Sequence, residues 1–385
     1  MALDAVELTS DLIRCPSVTP IEGGALDYLQ KTLEGLGFIC TRMVFSEVGT
    51  ADVDNLYARL GNTTPNLCFA GHTDVVPVGD ASGWSEDPFG AVQKDGVLYG
   101  RGTVDMKGAI GAWIAAISRH LDESGAPAGS LSLLITGDEE GPSINGTRKM
   151  LGRLVEMGDE LSHCITGEPS NPDHMGQMMK IGRRGSVNFR LTVNGMQGHV
   201  GYPHLADNPI HRLSRICTAL ADMEIDQGSD HFQASTLSLT TFDVGNETEN
   251  IIPASAVAKF NIRFNDLHTS DDIEALIVKT IEAAGGVGLN YEMKKRVSGE
   301  SFLTQPGFLS ELVGQASEAE TGVPCELSTT GGTSDSRFIK DYCPVLDFGL
   351  VGKTMHKVDE QVALADIETL TNIYTRIITG YFKAA

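Results

Sequence analysis

Nowhere in the 385-residue sequence is there an apolar run long enough to cross a bilayer. The first residues, MALDAVELTSDLIRCPS, lack the basic start and apolar core of a secretory signal and read instead as an amphipathic helix. Positive charge is scarce: 29 Lys and Arg stand against 51 Asp and Glu, and the net charge of -22 repels nucleic acid and anionic membranes. Neither is an expected partner. The seven cysteines (Cys15, Cys40, Cys68, Cys164, Cys217, Cys325, Cys343) are scattered and form no C-x-x-C pair. Such a set points to reduced thiols in a cytoplasm rather than a disulfide framework. No G-x-S-x-G turn is present either, which weakens any reading as a serine hydrolase.

What remains is an ordinary globular composition, 41% hydrophobic and 21% charged, in a chain longer than the roughly 250 to 300 residues at which one core stops growing. Two domains are expected. Up to about residue 182, short apolar strands at Asn66–Ala70, Ser130–Thr136 and His163–Thr166 alternate with helices, including one from Met106 carrying Ile110, Trp113, Ile114, Ile117 and Leu121 at helical spacing. That texture predicts an α/β fold with a mixed, mostly parallel sheet flanked by helices. From Ser186 the pattern becomes strict alternation, with Val187, Phe189, Leu191 and Val193 apolar, as in a sheet with one wet face. The following elements, near 208–223, 236–244, 255–264, 270–284 and 288–296, complete a β-α-β-β-α-β order, that of a ferredoxin-like unit. The α/β texture returns near residue 298, with CPVLDFGL as a strand and 364–383 as a last helix. Residues 1–182 and 298–385 are thus expected to form one domain, with 183–297 inserted into it.

Three strand ends in the first domain share a design. FAGHTD places His72 and Asp74 after one strand, TGDEEG places Asp138, Glu139 and Glu140 after the next, and TGEPS places Glu168 after the third. In open α/β sheets, ligands bind at the carboxyl ends of strands, so these groups should converge. Asp105, in GRGTVDMKG, is expected at a helix N-terminus, and His356, in TMHKVDE, follows the final strand. Acids packed this densely need cations, and two histidines with several carboxylates suit Zn²⁺ or its divalent neighbours. Two metals satisfy the count if Asp105 is shared, His72 and Glu168 complete one site, and His356 and Glu140 the other. Asp74, two residues from His72 in an extended segment, can orient the imidazole, and Glu139 is left to move a proton. Asp138 has no role that the sequence supplies. Singly, each piece has a plainer reading: a D-E-E in a solvated turn, a structural H-x-D, a glutamate ending a strand, a surface histidine. The metal reading rests on their joint placement.

GHTDVVPVGD, LYGRGTVDMKG, TGDEEGPSINGT, ITGEPS and MHKVDE, spread over nearly the whole chain, resemble the dinuclear metallohydrolases that include acetylornithine deacetylase, aminoacylase and glutamate carboxypeptidase. The resemblance implies two Zn²⁺ ions, for which Co²⁺ can substitute, held by His72, Asp105, Glu140, Glu168 and His356, with Glu139 as general base and acid and Asp74 supporting His72. It implies that the inserted domain dimerises the chain, and that His199 reaches the partner's active site to stabilise an oxyanion. Arg183, Arg184, Ser186, Asn250, Arg263 and Thr333 resemble groups that bind the carboxylates of an anionic N-acyl amino acid. Arg263, like Arg190, could otherwise be a wet-face strand residue. The implied reaction is amide hydrolysis, with a dipeptidase as a rival and a non-catalytic metal-binding scaffold disfavoured by the presence of Glu139. One departure is Gly352: some members carry Asn four residues before the last histidine, so a substrate contact from that side chain is absent here.

Overall fold

A computed structural model describes residues 2–384, and the chain divides into two compact units. The first comprises residues 2–181, 304–328 and 334–384; the second comprises 182–303 and 329–333. The short pair of Phe302–Leu303 with Gly182–Arg183 joins both ends of the insertion within the second unit.

The first unit is built on an eight-stranded sheet. In spatial order its strands are Ile39–Phe45, Val53–Leu60, Ser130–Thr136, Asn66–His72, His163–Thr166, Val345–Asp347, Met178–Lys180 and Glu326–Ser328. The four strands from Ser130–Thr136 to Val345–Asp347 are mutually parallel. Every residue of Asn66–His72 and Ser130–Thr136 is buried, as strands covered on both faces require. Helices Ala5–Ile13, Lys107–Ser124 and Leu364–Ala384 pack on one another, and Phe69, Trp113 and Tyr374 form an aromatic cluster between strand and helices. CPVLDFGL is strand only over Val345–Asp347: beyond it the Gly349 carbonyl turns to the Asn171 side-chain amide, which ends the ladder. No helix among the described residues is long and apolar enough to span a membrane.

The second unit has an antiparallel sheet ordered Thr236–Asp243, Ser255–Phe264, Gly185–Asn194, Asn290–Gly299, with helices Pro209–Ala221 and Ser270–Gly285. In chain order the strands run 2-3-1-4, the ferredoxin-like arrangement. Val187, Phe189, Leu191 and Val193 are buried against Leu213, Ile216, Ile273 and Ile277 of the two helices, so the alternation in sequence marks one apolar face.

Candidate metal centre

Parallel register brings the candidate ligands to one edge. His72 aligns with Thr136, and Ala70 with Thr166, so His72, Glu139, Glu140 and Glu168 all leave the sheet at its carboxyl end. Lys107–Ser124 connects two of these strands, so the residues just before it, Asp105 among them, lie at the same edge. Asp105 lies at the N-terminal end of this helix, two residues before its first residue, and Met106 occupies the cap position. The Asp105 carboxylate faces two imidazoles: Oδ1 lies 3.2 Å from His72 Nε2 and Oδ2 lies 3.2 Å from His356 Nε2. Glu140 Oε1 is 2.7 Å from His356 Nε2, and Glu168 Oε1 is 3.8 Å from His72 Nε2. His356 reaches the cluster from a turn in which it adopts φ 62°, and its side chain is 47% exposed. Two overlapping groups, His72 with Asp105 and Glu140, and His72 with Glu139 and Glu168, have ligand atoms within 4.8 Å of one another.

The charges in this cluster are strongly interdependent. Burial alone would lower the His72 imidazole, but its hydrogen bond to Asp105 and the charges of Asp105, Asp74 and Glu139 hold it well above its ordinary value. His356 is pushed up to about 10 by hydrogen bonds to Asp105 and Glu140. Asp105 itself is lowered: burial opposes ionisation, and the two histidines outweigh it. Glu139 and Glu168 are both raised well above the carboxylate range by burial first, then by neighbouring carboxylates. Glu168 Oε1 is buried without a hydrogen-bond partner. A buried carboxylate oxygen without a hydrogen-bond partner, acids that resist ionising together, and a mixed imidazole and carboxylate donor set are what divalent cations satisfy, so the residues fit such a metal.

Surrounding groups fix the ligands. Asp74 does so differently from the sequence expectation: its carbonyl oxygen lies 2.8 Å from His72 Nδ1 while its carboxylate is 3.7 Å away. The carboxylate instead accepts the backbone N–H groups of Glu139 (3.2 Å) and Glu140 (3.0 Å). Burial raises it to about 6 despite these bonds. Asp138 accepts the N–H groups of Ile144 and Asn145 at 2.8 Å each, and so closes the loop that follows. Two residues to which the sequence reading gives no role, although they lie within TGGTSDSRF and MHKVDE, also belong here. Asp335 is buried, and its charge helps raise Glu139. Glu360 is fully buried against Arg101.

The remaining candidates lie in the second unit. Ser186 and Arg263 are register partners on adjacent strands. Arg263 is lowered by burial and by the charge of Arg184, and Arg263 Nη1 and Arg184 Nε are buried donors without hydrogen-bond partners. Arg190, by contrast, is exposed on its strand. Arg183 donates to the Gly332 carbonyl at 3.2 Å, beside half-buried Thr333. His199 is exposed, in a short strand pair with Ile251–Ile252, and next to it the Val200 N–H donates to the Asn250 carbonyl at 3.1 Å. The His199 Nδ1 accepts the Gly201 N–H at 2.9 Å, which leaves the proton of the neutral ring on Nε2.

Known proteins frame this geometry. Residues 68–380 match peptidase family M20/M25/M40. A succinyl-diaminopimelate desuccinylase from Rhodospirillum centenum is 57% identical over 385 residues, covering 100% of this chain and 99% of the relative. Among solved structures, an M20 family metallo-carboxypeptidase from Sulfolobus solfataricus shares the fold with a TM-score of 0.79 at 19% identity, covering 99% of this chain and 100% of that one. A dinuclear metal binding peptidase of family M20 from Bacillus subtilis does so with a TM-score of 0.73 at 15% identity, covering 99% and 98%. The chain is a hydrolase of the metal-dependent kind and belongs to peptidase family M20/M25/M40.

Proposed function

We propose that the chain hydrolyses the amide bond of N-succinyl-LL-2,6-diaminopimelate to succinate and LL-2,6-diaminopimelate, a step of lysine and diaminopimelate biosynthesis in the cytoplasm. The observation that carries this reading is the 57% identity to a desuccinylase over the full length of both chains, with every candidate metal ligand in place. KIGRRGSVNFRLTVNGMQGHVGYPHLADNPIH, TGGTSDSRF and GNETENIIP also resemble that enzyme more than other family members.

Two Zn²⁺ ions would be held by His72 and Glu168 on one side and His356 and Glu140 on the other, with Asp105 shared; its two oxygens, each 3.2 Å from one imidazole, support that division. Bound there, the metal supplies a Lewis acid that polarises the amide carbonyl and eases deprotonation of water. Glu139 takes the proton of the attacking water and returns it to the leaving amine; its backbone, pinned on Asp74 beside Glu140, points the two side chains to different tasks. Arg184 and Arg263, with donors unsatisfied within the protein, bind a substrate carboxylate, helped by Arg183, Ser186, Asn250 and Thr333. The chain acts as a homodimer, and His199 Nε2 donates to the oxyanion formed in the partner's site.

The test is an assay of the zinc-loaded protein on N-succinyl-LL-diaminopimelate, N-acetylornithine and dipeptides side by side. Preferential turnover of the succinyl substrate is expected. Preference for either of the others overturns the substrate assignment and leaves the metal chemistry standing.

A further inference from the structure

We infer that Glu360 is a positioning residue, which with Arg101 sets Asp105 against His356. The inference rests on the reading that Asp105 and His356 hold metal. Glu360 lies four residues after His356, and Arg101 four residues before Asp105. The Glu360 side chain is 0% exposed and the Arg101 side chain 2%. Glu360 Oε2 accepts from Arg101 Nη1 at 2.7 Å. Its Oε1 sits in a nest of backbone N–H groups, from Gly102 (3.1 Å), Val104 (3.0 Å) and Asp105 itself (3.3 Å). Gly102, at φ 88°, makes that turn possible, since a side chain there would strain the backbone. The Glu360 carbonyl accepts the Gly100 N–H at 2.9 Å, so backbone and side chain grip both ends of the 100–105 turn.

Arg101 extends the same clamp. Its guanidinium donates to the carbonyls of Lys357 (3.2 Å) and Pro77 (3.4 Å) and stacks over Trp84 at 5.1 Å. The loops that follow His72, precede Asp105 and follow His356 are therefore tied to one buried ion pair. A buried ion pair is a weak source of net stability, because desolvation offsets most of the attraction. An apolar pair of equal volume would pack as well, yet it could not accept three N–H groups from the turn that ends on Asp105. The arrangement makes sense as a device for holding one carboxylate at a fixed distance from a ligand 251 residues further along the chain (356 - 105).

The test compares Glu360→Gln, Arg101→Lys and Arg59→Gln in the full chain. Arg59→Gln breaks a partly buried pair with Asp159 near the start of strand Ser130–Thr136, away from the ligands, and controls for general loss of stability. The readouts are the metal-free melting temperature, Co²⁺ affinity and visible absorption spectrum, and kcat and KM separately. Glu360→Gln and Arg101→Lys are expected to weaken Co²⁺ binding about 10- to 100-fold, alter the Co²⁺ spectrum and lower kcat with KM unchanged. Arg59→Gln lowers the melting temperature only. Wild-type Co²⁺ affinity and spectrum in whichever of the first two variants folds overturns the inference, as does an equal Co²⁺ effect in Arg59→Gln. Because Co²⁺ binding needs no substrate, a wild-type chain inactive on the succinyl compound would overturn the proposed reaction and leave this inference standing.

Discussion

Asp74 Oδ2 accepts the backbone N–H of Glu140 at 3.0 Å, so a buried carboxylate two residues after His72 holds the loop that carries both Glu139 and Glu140. Asp74→Ala would leave the two partly buried N–H groups of Glu139 and Glu140 without their acceptor, at a cost of up to about 1–3 kcal/mol for each unsatisfied group. The expected result is a lower melting temperature together with lower kcat. Asp74→Asn, which keeps one acceptor oxygen, should fall between. Chemical denaturation and steady-state kinetics measure both, and wild-type kcat in Asp74→Ala would remove Asp74 from the site's support.

Glu139→Gln preserves size and leaves the backbone bond to Asp74 intact. It removes the proton acceptor, and general acid-base catalysis contributes roughly 10² to 10⁴-fold. A kcat loss in that range with metal content unchanged is expected; a variant retaining most of its activity shows that another group moves the proton.

Chelation should abolish activity, and Zn²⁺ or Co²⁺ should restore it, because His72, Asp105, Glu140, Glu168 and His356 converge as a mixed imidazole and carboxylate donor set suited to divalent cations. Metal analysis during restoration reads the stoichiometry directly. Full turnover by protein shown to be metal-free would end the metallohydrolase reading.

Arg263 and Arg184 carry buried donors without partners, the state expected of groups that await an anion. A hydrogen bond to a charged group contributes about 1.5–3 kcal/mol, so Arg263→Gln should raise KM roughly 10- to 150-fold. Co²⁺ binding should be unchanged. An unaltered KM would return Arg263 to the role of a strand residue.

The convergence of His72, Glu139, Glu140 and Glu168 is legible in sequence because each follows a short strand, and parallel strands end on one edge. The second unit's core is legible because its alternation has a period of two, with one face dry. Other features depend on long-range pairing that no local pattern encodes. Arg101 and Glu360 are 259 residues apart, and each alone looks like an ordinary surface charge. Asp74 beside His72 invites a carboxylate-imidazole pairing, yet the backbone path puts the carbonyl on the ring and frees the carboxylate for Glu140. Strand Ile39–Phe45 escapes notice because it borders the sheet, with a single buried residue and no clean alternation.

Asp226 gives the second unit a sensitivity to acid. Burial opposes its ionisation, but hydrogen bonds from Ser235, the Gly228 N–H and Asn265 outweigh it and hold the carboxyl below the usual range. Its contacts include the Asn265 side-chain amide at 2.6 Å and the Gly228 N–H at 2.7 Å. A carboxylate whose folded pKa lies below its unfolded one contributes stability that is fully present above the unfolded pKa, near 3.9, and is lost as pH falls through the folded value. The wild-type melting temperature should therefore drop between pH 6 and pH 3. Asp226→Asn starts lower at pH 6, because the neutral amide is a weaker acceptor, and should lose less over the same interval. Hydrogen exchange at the amides of Gly185–Asn194 and Ser255–Phe264 localises the effect to this unit. Equal acid sensitivity in wild type and Asp226→Asn would assign the transition to other carboxyls.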